Sequence, residues 1–168
     1  MTHSGAVYLR NSNVYFSISE CEFEGNSCAN DGGSIMVYSQ NNNLVIKGSN
    51  FFNDEAKQSG GSLFVDSNHV NVSISENSFM STVAYDGGAM AFETSNEDVT
   101  ISDCNITRCT ARNRGGGIVL ERGNRKFILR DLNIADNNAL SGGGILVFEE
   151  NYNLLLSAVT LTGNTATG

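Results

Sequence analysis

The sequence predicts an all-β fold: a single-stranded, right-handed parallel β-helix of six rungs of 27–28 residues with three parallel sheets. Two observations predict it. The first is a repeat. Paired glycines stand at Gly32-Gly33, Gly60-Gly61, Gly87-Gly88, Gly115-Gly116 and Gly142-Gly143, and Ser4-Gly5 fits one step earlier. Successive first members lie 28, 28, 27, 28 and 27 residues apart. The second is the period inside each unit: apolar residues recur two apart, which is the spacing of a strand, and no helical spacing appears.

Numbering each unit from its first Gly or Ser aligns the apolar residues in columns. Column four holds Val7, Ile35, Leu63, Met90, Ile118 and Ile145, and column six holds Leu9, Val37, Val65, Phe92, Leu120 and Val147. Column thirteen reads Phe16, Leu44, Val72, Val99, Phe127 and Leu154; column fifteen reads Ile18, Ile46, Ile74, Ile101, Leu129 and Leu156. Column eighteen is mixed, with Cys21, Ser49, Asn77, Cys104, Leu132 and Val159. Column twenty is again apolar: Phe23, Phe51, Phe79, Ile106, Ile134 and Leu161. Each unit therefore offers three short strands with one face inward. Stacking such units about 4.8 Å apart buries equivalent side chains on one another. Strand twist makes the coil right-handed. A propeller blade would be longer, and a leucine-rich repeat would carry a different Leu and Asn pattern.

The turns agree with the strands. Column ten is Asn13, Asn41, Asn96, Asn124 and Asn151, with His69 the single departure. Column twenty-three is Asn26, Asp54, Thr82, Cys109, Asn137 and Asn164. Asn amides stacked at one corner can bond from rung to rung, and Asn tolerates the left-handed backbone of a sharp corner. The paired glycines suit positive φ or a close rung contact. The small column twenty-five, Cys28, Ala56, Ala84, Ala111, Ala139 and Ala166, marks a tight inward corner.

A length of 168 residues suits one domain spanning 1–168, read as an uncapped segment of a longer solenoid. Charged residues make up 17% and the net charge is −8, which argues against nucleic acid as a general partner. No apolar run reaches the roughly 18 residues of a membrane span, so no direct membrane insertion by this segment is expected.

Motifs of the form Gly-Gly-Ala/Ser-apolar, as in Gly32-Gly33-Ser34-Ile35, Gly60-Gly61-Ser62-Leu63 and Gly87-Gly88-Ala89-Met90, precede Phe-x-x-Asn, as in Phe23 to Asn26. Together they resemble the repeats of the polymorphic outer membrane proteins of chlamydiae. The later copies depart, to Ile134-to-Asn137 and Leu161-to-Asn164, and Phe79 is followed by Thr82. The resemblance implies a β-helical passenger at the cell surface or outside the cell, with adhesion as its usual role.

Candidate chemistry is sparse. Enzymes of parallel β-helical fold that act on polysaccharides need clustered carboxylates on an outer face. The best row here is Asp66, Glu93 and Glu121 at column seven, open either to calcium or, preferably, to water. His3 and His69 are the only histidines. Cys21 with Cys28 and Cys104 with Cys109 are the pairings geometry leaves for a disulfide, with buried thiols the alternative. Two sequons, at Asn71 and Asn105, sit in outward columns. Seven basic residues between Arg108 and Arg130 face one acid, Glu121, giving +6 there and −14 elsewhere. This belt reads as a solvated surface before a docking site. Neither a cofactor nor catalysis is expected.

Column five is the partner-binding candidate. Between the inward columns of the first strand stand Tyr8, Met36, Phe64, Ala91, Val119 and Leu146, an apolar outer stripe that needs a cover. The expected cover is a protein partner or a neighbouring segment of the same long protein. The reading that follows is a non-enzymatic structural or interaction module of an extended surface or filament protein. An adhesin binding a host receptor is the first alternative, and a polysaccharide lyase or hydrolase the second.

Overall fold

The computed structural model describes residues 4–168, and within them the chain is a parallel solenoid of β-strands with no helix. Three sheets run along the stack. The first joins Val7–Leu9, Ile35–Val37, Leu63–Val65, Met90–Thr94, Ile118–Arg122 and Ile145–Val147. Its pairing is parallel and in step, Val7 with Ile35, Ile35 with Leu63, and so to Ile118 with Ile145. The predicted repeat is thus the physical rung.

The inward columns are core. At columns four, six, thirteen, fifteen and twenty the four interior rungs are 1% exposed or less, as at Ile35, Val65, Val99, Ile101 and Ile106. Side chains of like shape stack: Phe23 lies on Phe51 with ring centroids 4.8 Å apart and Phe51 on Phe79 at 4.6 Å, both nearly coplanar. Each such rung buries apolar area on its neighbours alone, which is how a solenoid is stabilised.

The sheets divide the rung differently from expectation. The strands at columns thirteen to sixteen and nineteen to twenty-one belong to one ten-stranded sheet, and in the last two rungs they fuse into single strands, Arg125–Ala135 and Tyr152–Thr162. The third sheet comes instead from short strands such as Val83–Asp86 and Thr110–Arg114, just before the glycine pair.

Corners are made by left-handed residues in register. Column seventeen has positive φ in every rung, at Glu20, Gly48, Glu76, Asp103, Asp131 and Ala158, which bends the second strand into the third. Columns nine, twelve and twenty-two behave alike, as at Gln40, Asn43 and Asn53. The ladder residues at columns ten and twenty-three are not the left-handed ones. They follow them, and so have their side chains aimed inward along the stack.

The glycine pair serves two purposes. Its first member is left-handed, as at Gly60 with φ +67° and Gly87 with φ +63°. Its second member has no space for a side chain, since a Cβ on Gly88 would strike the backbone oxygen of Gly116. Positive φ and close contact were alternatives in the sequence; the first glycine combines them, since a Cβ on Gly60 would strike the Leu63 backbone oxygen, and the second is required by the close rung contact.

Candidate functional site

The ladders are hydrogen-bonded from rung to rung as the stacked amides predict, by side chains, as from Asn13 Nδ2 to Asn41 Oδ1 at 2.8 Å and from Asn137 Nδ2 to Asn164 Oδ1 at 2.9 Å, and by the backbone as well. At column ten the Asn13 N–H donates to Asn41 Oδ1 at 2.8 Å, Asn96 N–H to Asn124 Oδ1 at 3.0 Å, and Asn124 N–H to Asn151 Oδ1 at 3.0 Å. The Asn side chain donates in both directions, as from Asn96 Nδ2 to Asn124 Oδ1 at 3.1 Å and back to the Asp66 carbonyl at 2.9 Å. Column twenty-three repeats the scheme with Asn26 N–H to Asp54 Oδ1 at 2.9 Å and Cys109 N–H to Asn137 Oδ1 at 2.8 Å. Column eighteen forms a third ladder in the early rungs, through Ser49 and Asn77. Apart from His69 Nε2, the buried side-chain polar atoms of these ladders have hydrogen-bond partners among the described residues.

Column five is not a bare ridge. Met36 is 7% exposed, Phe64 4%, Ala91 1% and Val119 0%, and they form a second apolar cluster against which Tyr8 and Leu146 pack. The closing turn of the chain's own rungs supplies the cover: Gly87 and Gly115 lie against Val119, and Gly142 lies against Leu146. Within the single chain the stripe of Tyr8, Met36, Phe64, Val119 and Leu146 is thus already packed at its centre, with Tyr8 and Leu146 the more open ends. Strand alternation places the stripe on the outer face, and the glycine turn that leads into each strand packs against that face.

Beside this cluster lies the richest polar group of the chain. Column seven brings Asp66, Glu93 and Glu121 into a row, and the residue closing each rung faces it, at Asp31, Asp86 and Arg114. Burial pushes the carboxyls of Asp31, Asp66, Glu93 and Glu121 above their usual range, and for Glu93 the neighbouring Glu121, Asp66 and Asp31 add to this. Arg114 is the cation of the group, with Nη2 2.8 Å from Asp86 Oδ2 and 2.9 Å from Glu121 Oε1. Its guanidinium also caps the Phe148 ring, 4.9 Å from the centroid. Among the described residues no three such side chains are arranged to hold a metal ion. The sequence did show the acid row. It missed the closing residues, which stand directly before each glycine pair and so could have been read as a column.

The basic belt is paired across rungs. Arg112 faces Glu55, Arg122 faces Glu149, Arg125 faces Glu97, and Lys126 reaches Glu97 at 2.8 Å and Asp98 at 3.4 Å. These exposed pairs add little stability each, but they spend most of the belt's charge on the stack itself. Arg108 instead rests on the Met80 sulfur.

The remaining candidates are dispersed. Of the four cysteines, Cys21 is exposed and Cys28, Cys104 and Cys109 are buried. Burial pushes the Cys104 thiol up to about 11. Asn71 and Asn105 are exposed on the outer face, bonded to Asn43 and Asn133 of adjacent rungs at 2.7 Å. His3 lies outside the described residues, and His69 is buried within the column-ten ladder.

A stack of parallel rungs joined by internal ladders defines a β-helix. The right-handed β-helix family model matches residues 2–168, and the chain belongs to that family. No curated protein and no solved structure gives a significant match to it.

Proposed function

We propose that the chain is a non-enzymatic structural and interaction module, a stiff section of an extended protein at the cell surface or outside the cell. One observation carries this reading. The polar chemistry of the molecule is directed along the stack: ladder amides, cross-rung ion pairs and the Arg114 cluster all join one rung to the next. Such an arrangement fixes shape and register over a distance, as a scaffold requires. The Gly-Gly-Ser/Ala-apolar and Phe-x-x-Asn repeats, similar to those of chlamydial polymorphic outer membrane proteins, favour the surface location and extend the reading to adhesion. Cross-linking on intact cells of the source organism, followed by capture of the chain, tests it. Recovery of a defined surface or envelope partner supports the module reading; an exclusively intracellular distribution overturns it.

A second reading rests on the column-seven carboxyl row, whose raised protonation suits general acid work on a neutral polysaccharide. Release of reducing ends from such polymers, abolished in Glu93→Gln and Glu121→Gln, would establish that reading in place of the first.

A further inference from the structure

At the column-ten corner His69 stands where the other five rungs carry Asn. Its Nδ1 lies 3.0 Å from the Asn41 backbone nitrogen, the place taken elsewhere by an Asn Oδ1, and 2.8 Å from the Asn41 carbonyl oxygen. With the proton on Nε2 the ring accepts the Asn41 N–H, as an amide oxygen would. With a proton on Nδ1 it can only donate, and the Asn41 carbonyl is the acceptor in reach. The ring is fully buried, and its Nε2 has no hydrogen-bond partner. The neighbouring rungs bring uncharged groups to the residue: the Asn41 and Val37 backbones to the ring on one side and, on the other, Asn96, whose Oδ1 accepts the His69 backbone N–H at 3.1 Å. The charged side chain acting on the ring is Asp66, itself within the field of Asp31 and Glu93.

We propose that the His69 corner is an acid-sensitive joint in the stack. Protonation of the imidazole withdraws the acceptor from the Asn41 N–H, replaces it by a bond to the Asn41 carbonyl, and loosens the seam between the second and third rungs while the Asn corners hold. Burial holds the imidazole below its ordinary 6.5, against the opposing pull of the backbone carbonyls and Asp66. The seam is therefore at full strength above that value and weakens as pH falls towards the folded-state value, because the opened chain takes up the proton more readily.

Amide hydrogen exchange followed by NMR on the full chain tests this, at about pH 7.5 and about pH 5 and corrected for intrinsic rates. The Asn41 amide is expected to lose about tenfold or more of its protection at the lower pH relative to the Asn96 and Asn124 amides. His69→Asn, which restores the Asn found at the other corners, should abolish that difference. Asp66→Asn should move the loss to lower pH, since the carboxylate favouring the imidazolium is gone. The proposal is overturned if Asn41 keeps its protection across this range in the parent chain, whether or not the ring resonances titrate. It is equally overturned if His69→Asn loses as much protection as the parent.

Discussion

Arg114 holds Asp86 of the preceding rung in a two-point grip, with Nη2 2.8 Å from Oδ2 and Nε 3.3 Å from Oδ1. Asp86 Oδ1 also accepts the Arg114 backbone N–H at 3.0 Å. Asp86 is only 7% exposed, so the carboxylate depends on this partner. Removing one side of such a pair leaves a desolvated charge behind. Arg114→Ala is expected to cost about 2–3 kcal/mol in urea unfolding. Arg114→Lys should recover only part of the loss, because an ammonium cannot reproduce the fork.

The closing turn over column five leads to a second expectation. Phe64 and Val119 are buried within the single chain, so truncation creates cavities where a solvated ridge would have felt little. Phe64→Ala should cost about 3–4 kcal/mol and Val119→Ala about 1–2 kcal/mol, read as a lower urea midpoint at constant m-value. Near-parent stability in both would show that the turn does not hold this cover in solution.

The inward assignment itself is tested by a neighbouring pair. Ile101 is fully buried while Thr100 faces out from the same strand. Ile101→Asp places an unpaired carboxylate in the core at a cost of several kcal/mol and should unfold the middle rungs. Thr100→Asp should change the melting temperature by little. Similar melting of the two variants would reverse the two faces.

Glycine positions separate contact from conformation. Gly88→Ala forces a Cβ into the Gly116 carbonyl and is expected to prevent folding of the stack. Gly123 is also left-handed, at φ +68°, but its Cβ would come no nearer than 3.5 Å to Ser95 Oγ. Gly123→Ala should therefore cost only about 1 kcal/mol of backbone strain. Circular dichroism melts of the two variants decide the matter.

Asp54 supplies a pH dependence with a definite sign. Burial raises its carboxyl above the usual range, even though it accepts from Asn26, Ser34 and Ser62. Its contribution to stability is fully present below about 3.8 and is lost as pH rises through the folded-state value. Asp54→Asn is thus expected to raise the melting temperature at neutral pH, with the gain shrinking as the solution is acidified. A gain that grows on acidification would contradict this.

The columns that face inward were legible because each is apolar in all rungs, and period two leaves little freedom about their direction. The burial of column five within the chain was not legible, because alternation says which face a residue points to but not that the preceding glycine turn packs against that face. The strand Thr110–Arg114 was missed for want of an apolar signal: its pairing with Asn138 and Ser141 is made by backbone alone. The left-handed columns were hidden by mixed composition, with Glu20, Gly48 and Ala158 adopting the same backbone at column seventeen. The position of His69 was visible as a departure, yet its orphaned Nε2 depends on how a ring fills a place shaped for an amide.

The uniform register has a consequence for how such a chain can change its length. Each ladder residue asks only for a like residue 27 or 28 positions on, as Asn96 does of Asn124. An in-frame duplication of one whole unit therefore inserts a new layer whose two surfaces fit the old ones, and the stack grows by about 4.8 Å with no other adjustment. A single inserted residue inside a strand, by contrast, reverses inside and outside for everything up to the next corner. Growth and shrinkage by whole layers is the route this architecture leaves open.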